Sequence, residues 1–489
     1  MMLTETEFFS LHRDDPQACW EYCRWLLTRN IELEARVKIL EGQAKKDSSN
    51  SHLPPSSDKR NPGARANVEK SKNNNQREKT GRKPGGQPGH KGHAKATAPT
   101  PDRTHEIRPK SCGCGHRFTS ADKICATEKR QVHDIPHPVL EVDEYLARTL
   151  ECPCCRRQSK GEFPPGVGAP VQYGPNLRAL AVNLHVLNFI PYGRLADFFS
   201  EWCSVRMSVG TLKNIIADVA KNAAGSLEKI RDAIVSSEVI HYDETGSRCG
   251  GKREWLHVAS TLNWTLYRHH EKRGADAMKA MNILPRFSGM AVHDHWSPYY
   301  TFNRCDHAQC GAHLLRDAQG IHDVFSWKWP LDMKQLLKDA HRLVKEAKIN
   351  GRHSLAAEDR DGIFDRYLRV VENGRKEMPA PPQRKPGCGK RGRPARGKAI
   401  ALLDRFEENW FQILRFVDDF RVPFDNNLAE RDIRMGKVQQ KVSGCFRSKA
   451  GADGFYALRS VISSAAKQAI AQMSIIRDLV LGRQPTFAT

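Results

Sequence analysis

From Lys46 to Arg103 the chain offers almost nothing to build a core with, because Ser, Asn, Gly, Pro and charged residues follow one another with scarcely an apolar side chain among them. Such a stretch cannot bury enough surface to offset the entropy of ordering it, so it reads as disordered or extended. A chain interrupted in this way folds in pieces, and 489 residues suit three or four separate cores. Within the gap, Lys59 to Arg103 carries twelve Lys or Arg, Arg82, Lys83 and Lys91 among them, against three Asp or Glu. That density suits phosphate contacts made without reading bases, and it equally suits a solubilising linker. The whole chain is basic too, at +22, which favours a polyanionic partner over an acidic small molecule and puts nucleic acid first. No run approaches the roughly 20 apolar residues of a membrane span, and no leader pattern opens the sequence, so a soluble, cytoplasmic protein with no membrane partner is expected.

Ahead of the gap, Trp20 to Gln43 sets Leu26, Leu33 and Leu40 seven residues apart, with Cys23, Asn30 and Val37 at the complementary spacing. This heptad predicts either a parallel zipper, which a buried Asn30 would keep in register, or an amphipathic helix packed on its own chain. Beyond the gap stand Cys112-Gly-Cys114 and Cys152-Pro-Cys154-Cys155, with β-like alternation around Val139 to Tyr145 between them. Two pairs about 40 residues apart resemble a zinc ribbon, in which four thiolates on two turns hold one ion; His116 or Cys125 stand as substitutes, and reduced buried cysteines are the alternative. Disulfides are not expected in a reducing compartment. Pro175 to Val235 reads as helices, with an apolar stripe over Leu177 to Ile190, a segment from Arg194 to Trp202, and Ser208 as N-cap of Val209 to Ala220. The last two, with Lys213 on the second, fit a helix-turn-helix and an ordinary bundle equally well.

Glu238 to Arg248 is followed by β-rich Glu254 to Leu262 and Trp264 to His269, which predicts a three-stranded meander with Asp243 near the end of its first strand. Gly289 to Trp296 is a second short apolar run, and it stops at Asp294. Two strands thus deliver a carboxylate at the same kind of position. Adjacent carboxylates repel unless a cation lies between them, and magnesium, a hard ion, prefers oxygen donors. Glu430 falls in the opening turns of a helix for which Asp425 is the expected N-cap, with Arg431, Arg434 and Lys437 close by. Taken singly, each of these acids reads as a turn residue or half of a surface ion pair.

Longer motifs change that weighing. They are Ser51 to Asp58, Arg82 to His93, Tyr242 to Gly246 with Trp255 to His257, His293 to Trp296 through Tyr299, Cys310 to Arg316, Val422 to Arg431, and Gly444 to Ser448. In that order they resemble the TnpC-type transposases of bacterial insertion sequences, the IS-sixty-six-like family of DDE enzymes, over nearly the whole chain. The resemblance implies that Asp243, Asp294 and Glu430 are the three acidic ligands of magnesium or manganese. It also implies a zinc-binding module and a ribonuclease-H-like core in which the strands of Asp243 and Asp294 are neighbours at the sheet's edge, interrupted by a mostly helical insertion. Cys310 and His313 match a Cys-x-x-His element expected to shape the site without binding structural zinc. Glu244 is expected on the opposite face of its strand and is no ligand.

The expected architecture is multidomain α+β: a zipper helix over 1–45, a basic linker over 46–105, the zinc-binding module with Cys112, Cys114, Cys152 and Cys155 over 106–170, and a helical DNA-binding domain over 171–235. The ribonuclease-H-like core follows over 236–325, then the helical insertion over 326–418, and the core is completed over 419–489. Helical patterns at Leu331 to Ala347 and Leu402 to Asp418 suit the insertion. Its loop from Arg375 to Lys398 carries nine cations and one Glu; Arg391 and Arg393 are similar to an AT-hook, although a loop that merely touches phosphate fits as well. The implied reaction frees 3′ hydroxyls at terminal inverted repeats, and these attack target phosphodiesters in line. The implied partners are double-stranded DNA, a second copy through the N-terminal helix, and accessory proteins of the same element, in the bacterial cytoplasm near the nucleoid. The rival reading is a catalytically inactive or domesticated DNA-binding regulator.

Overall fold

A computed structural model describes residues 5–44, 89, 97–135, 138, 140–378 and 397–487. Arg82, Lys83, Lys91, Arg391 and Arg393, expected to contact DNA, and most of the two basic stretches lie outside the described residues. Among the described residues no helix is long and apolar enough to cross a membrane.

The chain opens with α1 (Glu5–Asp14) and α2 (Pro16–Ala44). Asp15 caps the second by accepting the Ala18 amide at 3.0 Å, and Pro16 sits where its missing N–H is no loss. Of the heptad residues, Leu26 is half-buried, while Leu33, Val37 and Leu40 are about half exposed.

Next comes a hairpin of β1 (Thr149–Glu151) and β2 (Gln158–Lys160), paired antiparallel. Among the described residues the alternation around 140–145 forms no ladder, and Val142 and Tyr145 are exposed. The helical block consists of α3 (Pro175–Val182), which runs into a π turn at Asn183–Leu187, then α4 (Tyr192–Trp202), α5 (Val209–Asn222) and α6 (Ala224–Val235). Ser208 caps α5, its Oγ accepting from the Thr211 amide at 3.0 Å.

At the centre stands a five-stranded sheet of β3 (Val239–Cys249), β4 (Lys252–Ser260), β5 (Thr265–His270), β6 (Met290–His293) and β7 (Asp306–Gln309), in the order β5-β4-β3-β6-β7. The first three form an antiparallel meander; β6 pairs parallel with β3, and β7 parallel with β6. Between β5 and β6 lies α7 (Ala275–Met281), whose Met281 receives the Tyr242 hydroxyl. A side chain at Gly289 would stand 2.4 Å from the Glu238 carbonyl, which accepts the Met290 amide at 2.8 Å; glycine there lets β6 close on β3.

After β7 the chain leaves the sheet through α8 (Gly311–Phe325), α9 (Trp329–Ile349), α10 (Ala357–Glu377), α11 (Lys398–Glu408), α12 (Trp410–Ile413) and α13 (Arg415–Asp418). These helices share an apolar cluster of their own around Trp329, Leu337, Tyr367, Leu403 and Phe406. The helical pattern expected over Leu402 to Asp418 is divided among three helices. Within α12 Gln412 is buried, its Oε1 accepting from the Tyr300 hydroxyl at 2.9 Å and the Gln309 amide at 3.0 Å. α8 also meets α2.

The chain returns to the sheet at Val422, which packs on Met290, Val292 and Ala308. It ends in α14 (Asn427–Ser443), α15 (Lys449–Lys467) and α16 (Gln472–Val480). α14 crosses β3 and β4, and its closest approach is at Gly436, where a Cβ would lie 2.4 Å from Leu256 Cδ2 and 3.1 Å from the Tyr456 hydroxyl. Gly436→Val should therefore overpack this contact and lower stability by about 1–3 kcal/mol, measured as a lower urea midpoint at unchanged slope.

Candidate active site

The parallel register pairs Val239 with Met290, Ile240 with Ala291 and His241 with Val292. Carried two residues further, it sets Asp243 opposite Asp294. β3 is the inner strand of the sheet and continues to Cys249 along β4, so Asp243 is mid-strand, not near the strand's end as expected. Only the ladder to β6 stops short of it. The two acids therefore stand where the parallel ladder ends, in the middle of the sheet and not at its outer edge. Asp294 accepts the Trp296 amide at 3.0 Å, and the next residue, His295, has a φ of 73°, a left-handed conformation that is strained for a side-chain-bearing residue.

Glu430 lies in the first turn of α14. Its Oε1 is 3.4 Å from Arg316 Nη2 and 3.6 Å from His313 Nδ1. Burial pushes the Asp243 carboxyl well above its ordinary range, and the charges of Glu244, Asp294 and Glu430 push it further. Asp243 thus feels the charges of both Asp294 and Glu430, although among the described residues the three carboxylates do not share a close ligand group as Cys310, His313 and Glu430 do.

The face of β3 opposite Asp243 carries Glu244, as alternation requires. Glu244 is not idle there. Its carboxylate accepts from Arg273 at 2.8 and 3.0 Å and from the Tyr299 hydroxyl, and Arg273 stacks over Trp255 and Trp296 at 5.0 and 3.9 Å. Burial, then the Asp294 charge, raises Glu244 to about 7, against the pull of Tyr299 and Arg273.

Cys310 and His313 reach the site from the start of α8. Among the described residues, Cys310, His313 and Glu430 form a group whose ligand atoms lie within 4.8 Å of one another. Burial, then the Glu430 charge, pushes the Cys310 thiol up to about 12, so it stands as a neutral acceptor of the Asn426 amide hydrogen at 3.2 Å. A protonated thiol is a poor metal ligand.

Asn426, and not Asp425, is the N-cap of α14. Asp425 instead accepts the Asn427 amide at 3.0 Å. Sequence reasoning missed Asn426, which is 1% exposed, and it missed Asp432. Asp432 accepts from Ser260 Oγ at 2.7 Å, Thr265 Oγ1 at 3.0 Å and Lys467 Nζ at 2.7 Å. A polar pair on a helix gives no sign of which member turns inward.

Of the expected DNA contacts, Arg431, Arg434 and Lys213 are exposed. Lys437 is half-buried and donates to the Gly246 carbonyl on β3, so it fastens α14 to the sheet.

Each cysteine pair sits on a tight turn. Cys112 N–H donates to the His116 carbonyl at 2.8 Å and Gly115 N–H returns to Cys112 at 2.9 Å; Cys152 N–H donates to Arg157 at 2.9 Å and Arg156 N–H returns at 2.9 Å. The first turn is one residue shorter, matching its shorter cysteine gap. The Cys114 backbone amide holds the Cys112 thiol below its ordinary value, and those of Cys155 and Cys154 do the same for Cys152. Each turn is arranged like half of a four-thiolate site, but no third cysteine joins either pair in a common ligand group among the described residues.

A family of unknown function, DUF6444, matches residues 11–96. No curated protein matches the chain. The Transposase IS66 family matches residues 170–454, more than half the chain and all of the sheet, the helical segment after it and the three acids, so this protein belongs to the Transposase IS66 family.

Proposed function

We propose that the protein is a DDE-type transposase that cuts DNA at terminal inverted repeats and joins the freed 3′ ends to target DNA, with Asp243, Asp294 and Glu430 as its acidic set. The observation that carries this reading is the β3–β6 register aligning Asp243 with Asp294 in a member of a transposase family. The Glu430 charge within reach of Asp243 supports the third position. The strand order, a three-stranded antiparallel meander continued beyond its first strand by the parallel β6 and β7, supports a ribonuclease-H-like core.

The residues fit divalent ions on the chemistry of the donor set: three hard carboxylates, one of them destabilised by the charge of the others, which a cation relieves. Bound magnesium or manganese would supply Lewis acidity at the attacking and leaving oxygens. The protein's own groups orient the ligands: the Trp296 amide holds Asp294, while Arg316 and His313 flank Glu430. Arg431 and Arg434, exposed on the helix of Glu430, are suited to the scissile backbone, and Lys213 on α5 to the terminal repeat.

The half-exposed Leu33, Val37 and Leu40 support pairing of two protomers through α2. Accessory proteins and a nucleoid location remain part of the same reading. The two cysteine turns support a zinc module, and one zinc per chain by elemental analysis is the expected result; Cys152→Ser with Cys155→Ser should remove it.

The deciding experiment gives purified protein, with magnesium, a duplex carrying the element's terminal inverted repeat and a target plasmid. Nicking followed by joining supports the proposal. Nicking without joining would reveal a hydrolytic nuclease, and binding without nicking a catalytically inactive or domesticated regulator.

A further inference from the structure

We infer that Asn426 is the positioning residue that sets the distances among the three acids, an inference that rests on the active-site reading above. One buried residue touches two of the carboxylate-bearing segments directly and reaches the third through Cys310. Asn426 Nδ2 donates to the Tyr242 carbonyl at 2.8 Å, the peptide unit immediately before Asp243. Its backbone N–H donates to Cys310 Sγ at 3.2 Å, and the Cys310 N–H in turn donates to the His293 carbonyl at 2.9 Å, the peptide unit immediately before Asp294. Its own carbonyl accepts the Glu430 amide at 3.1 Å. Each acid is thereby one peptide, or one peptide and a thiol, away from the same residue.

The chemistry at this position demands asparagine. The Tyr242 carbonyl accepts only, so the side-chain nitrogen must face it, and the oxygen then faces His241 Nδ1 at 3.0 Å. To donate to that oxygen, His241 must carry a proton on Nδ1. Aspartate would set an oxygen against the Tyr242 carbonyl, and alanine would leave both the carbonyl and the His241 N–H unanswered in the interior. Neither change removes a carboxylate, yet each frees β3 from the start of α14, and a metal site depends on such outer partners to hold its ligands in place.

The test is Mn²⁺ binding to the purified full-length chain, followed by loss of the free-ion electron paramagnetic resonance signal, alongside thermal melting and repeat-duplex binding. Asn426→Ala should bind Mn²⁺ roughly 10- to 100-fold more weakly while DNA affinity is unchanged. Should that variant fail to fold, Asn426→Ser, whose hydroxyl retains one donor, serves instead with a smaller loss in the same direction. A purely structural role would lower the melting temperature and leave Mn²⁺ affinity of the folded protein intact, and that result overturns the inference. Glu430→Gln and Asp294→Asn are the reference variants. If they too bind Mn²⁺ normally, the active-site reading itself fails; if they lose it and the Asn426 variants do not, only the positioning role fails.

Discussion

Protein carrying Asp294→Ala should bind a repeat-bearing duplex within about threefold of the parent, while its nicking rate in magnesium falls by about 10³-fold or more, equivalent to about 4 kcal/mol of transition-state stabilisation. The asymmetry follows from where the residue sits. Asp294 meets Asp243 across the end of a parallel ladder, it repels phosphate, and it has no share in the exposed cations that attract DNA. Under the proposed mechanism its removal takes away a metal ligand and leaves attraction intact or slightly improved. Asp243→Asn should lose activity similarly and yet raise the melting temperature of the metal-free protein, because Asp243 is buried against the charges of Glu244, Asp294 and Glu430 and its ionised form is the one the fold disfavours. Nicking by Asp294→Ala within tenfold of the parent would remove the acidic set from the mechanism.

The largest stability effect is expected at Asp432→Ala. Asp432 binds Lys467, and both side chains are less than one-fifth exposed. Two hydroxyls from β4 and β5 complete its shell. Burial lowers the Lys467 pKa, and the Asp432 carboxylate works against that. Without the carboxylate an ammonium is left inside with only carbonyls for company, at a cost of about 3–5 kcal/mol. Urea unfolding of the single variant and of Asp432→Ala with Lys467→Met distinguishes the cause: the double variant should recover roughly half of the loss or more, since an apolar pair needs no counter-charge. Recovery absent from the double variant would mean that the hydroxyl bonds, and not the ion pair, fasten α14 to the sheet.

The parts legible in the sequence were those governed by local rules. Ser208 announced its cap because the hydroxyl answers an amide three residues on. The meander was legible because each strand alternates and is bounded by turn residues, and Asp294 because an apolar run stops at it. What could not be read was anything decided across the chain. Asp425, Asn426 and Asn427 are all plausible caps, and only the approach of Tyr242 and Cys310 selects Asn426. The pattern from Leu402 to Asp418 keeps helical period throughout, yet the chain is divided at Asn409 and Leu414, and the piece between them carries Gln412 to Tyr300 and Gln309, over a hundred residues earlier in the chain. Lys437 reads as a surface cation until Gly246 is beside it.

The separate apolar cluster of α8 to α13 also has a consequence during synthesis. Glu430 leaves the ribosome 136 residues after Asp294, on the order of ten seconds later at bacterial translation speeds. Throughout that interval the nascent polypeptide already carries the basic stretch and both aspartates, but under the proposed mechanism it has no third carboxylate with which to break a strand. Under that mechanism, translation that halts inside the helical segment would yield a fragment with two of the three acids, basic enough to hold DNA and unable to cut it.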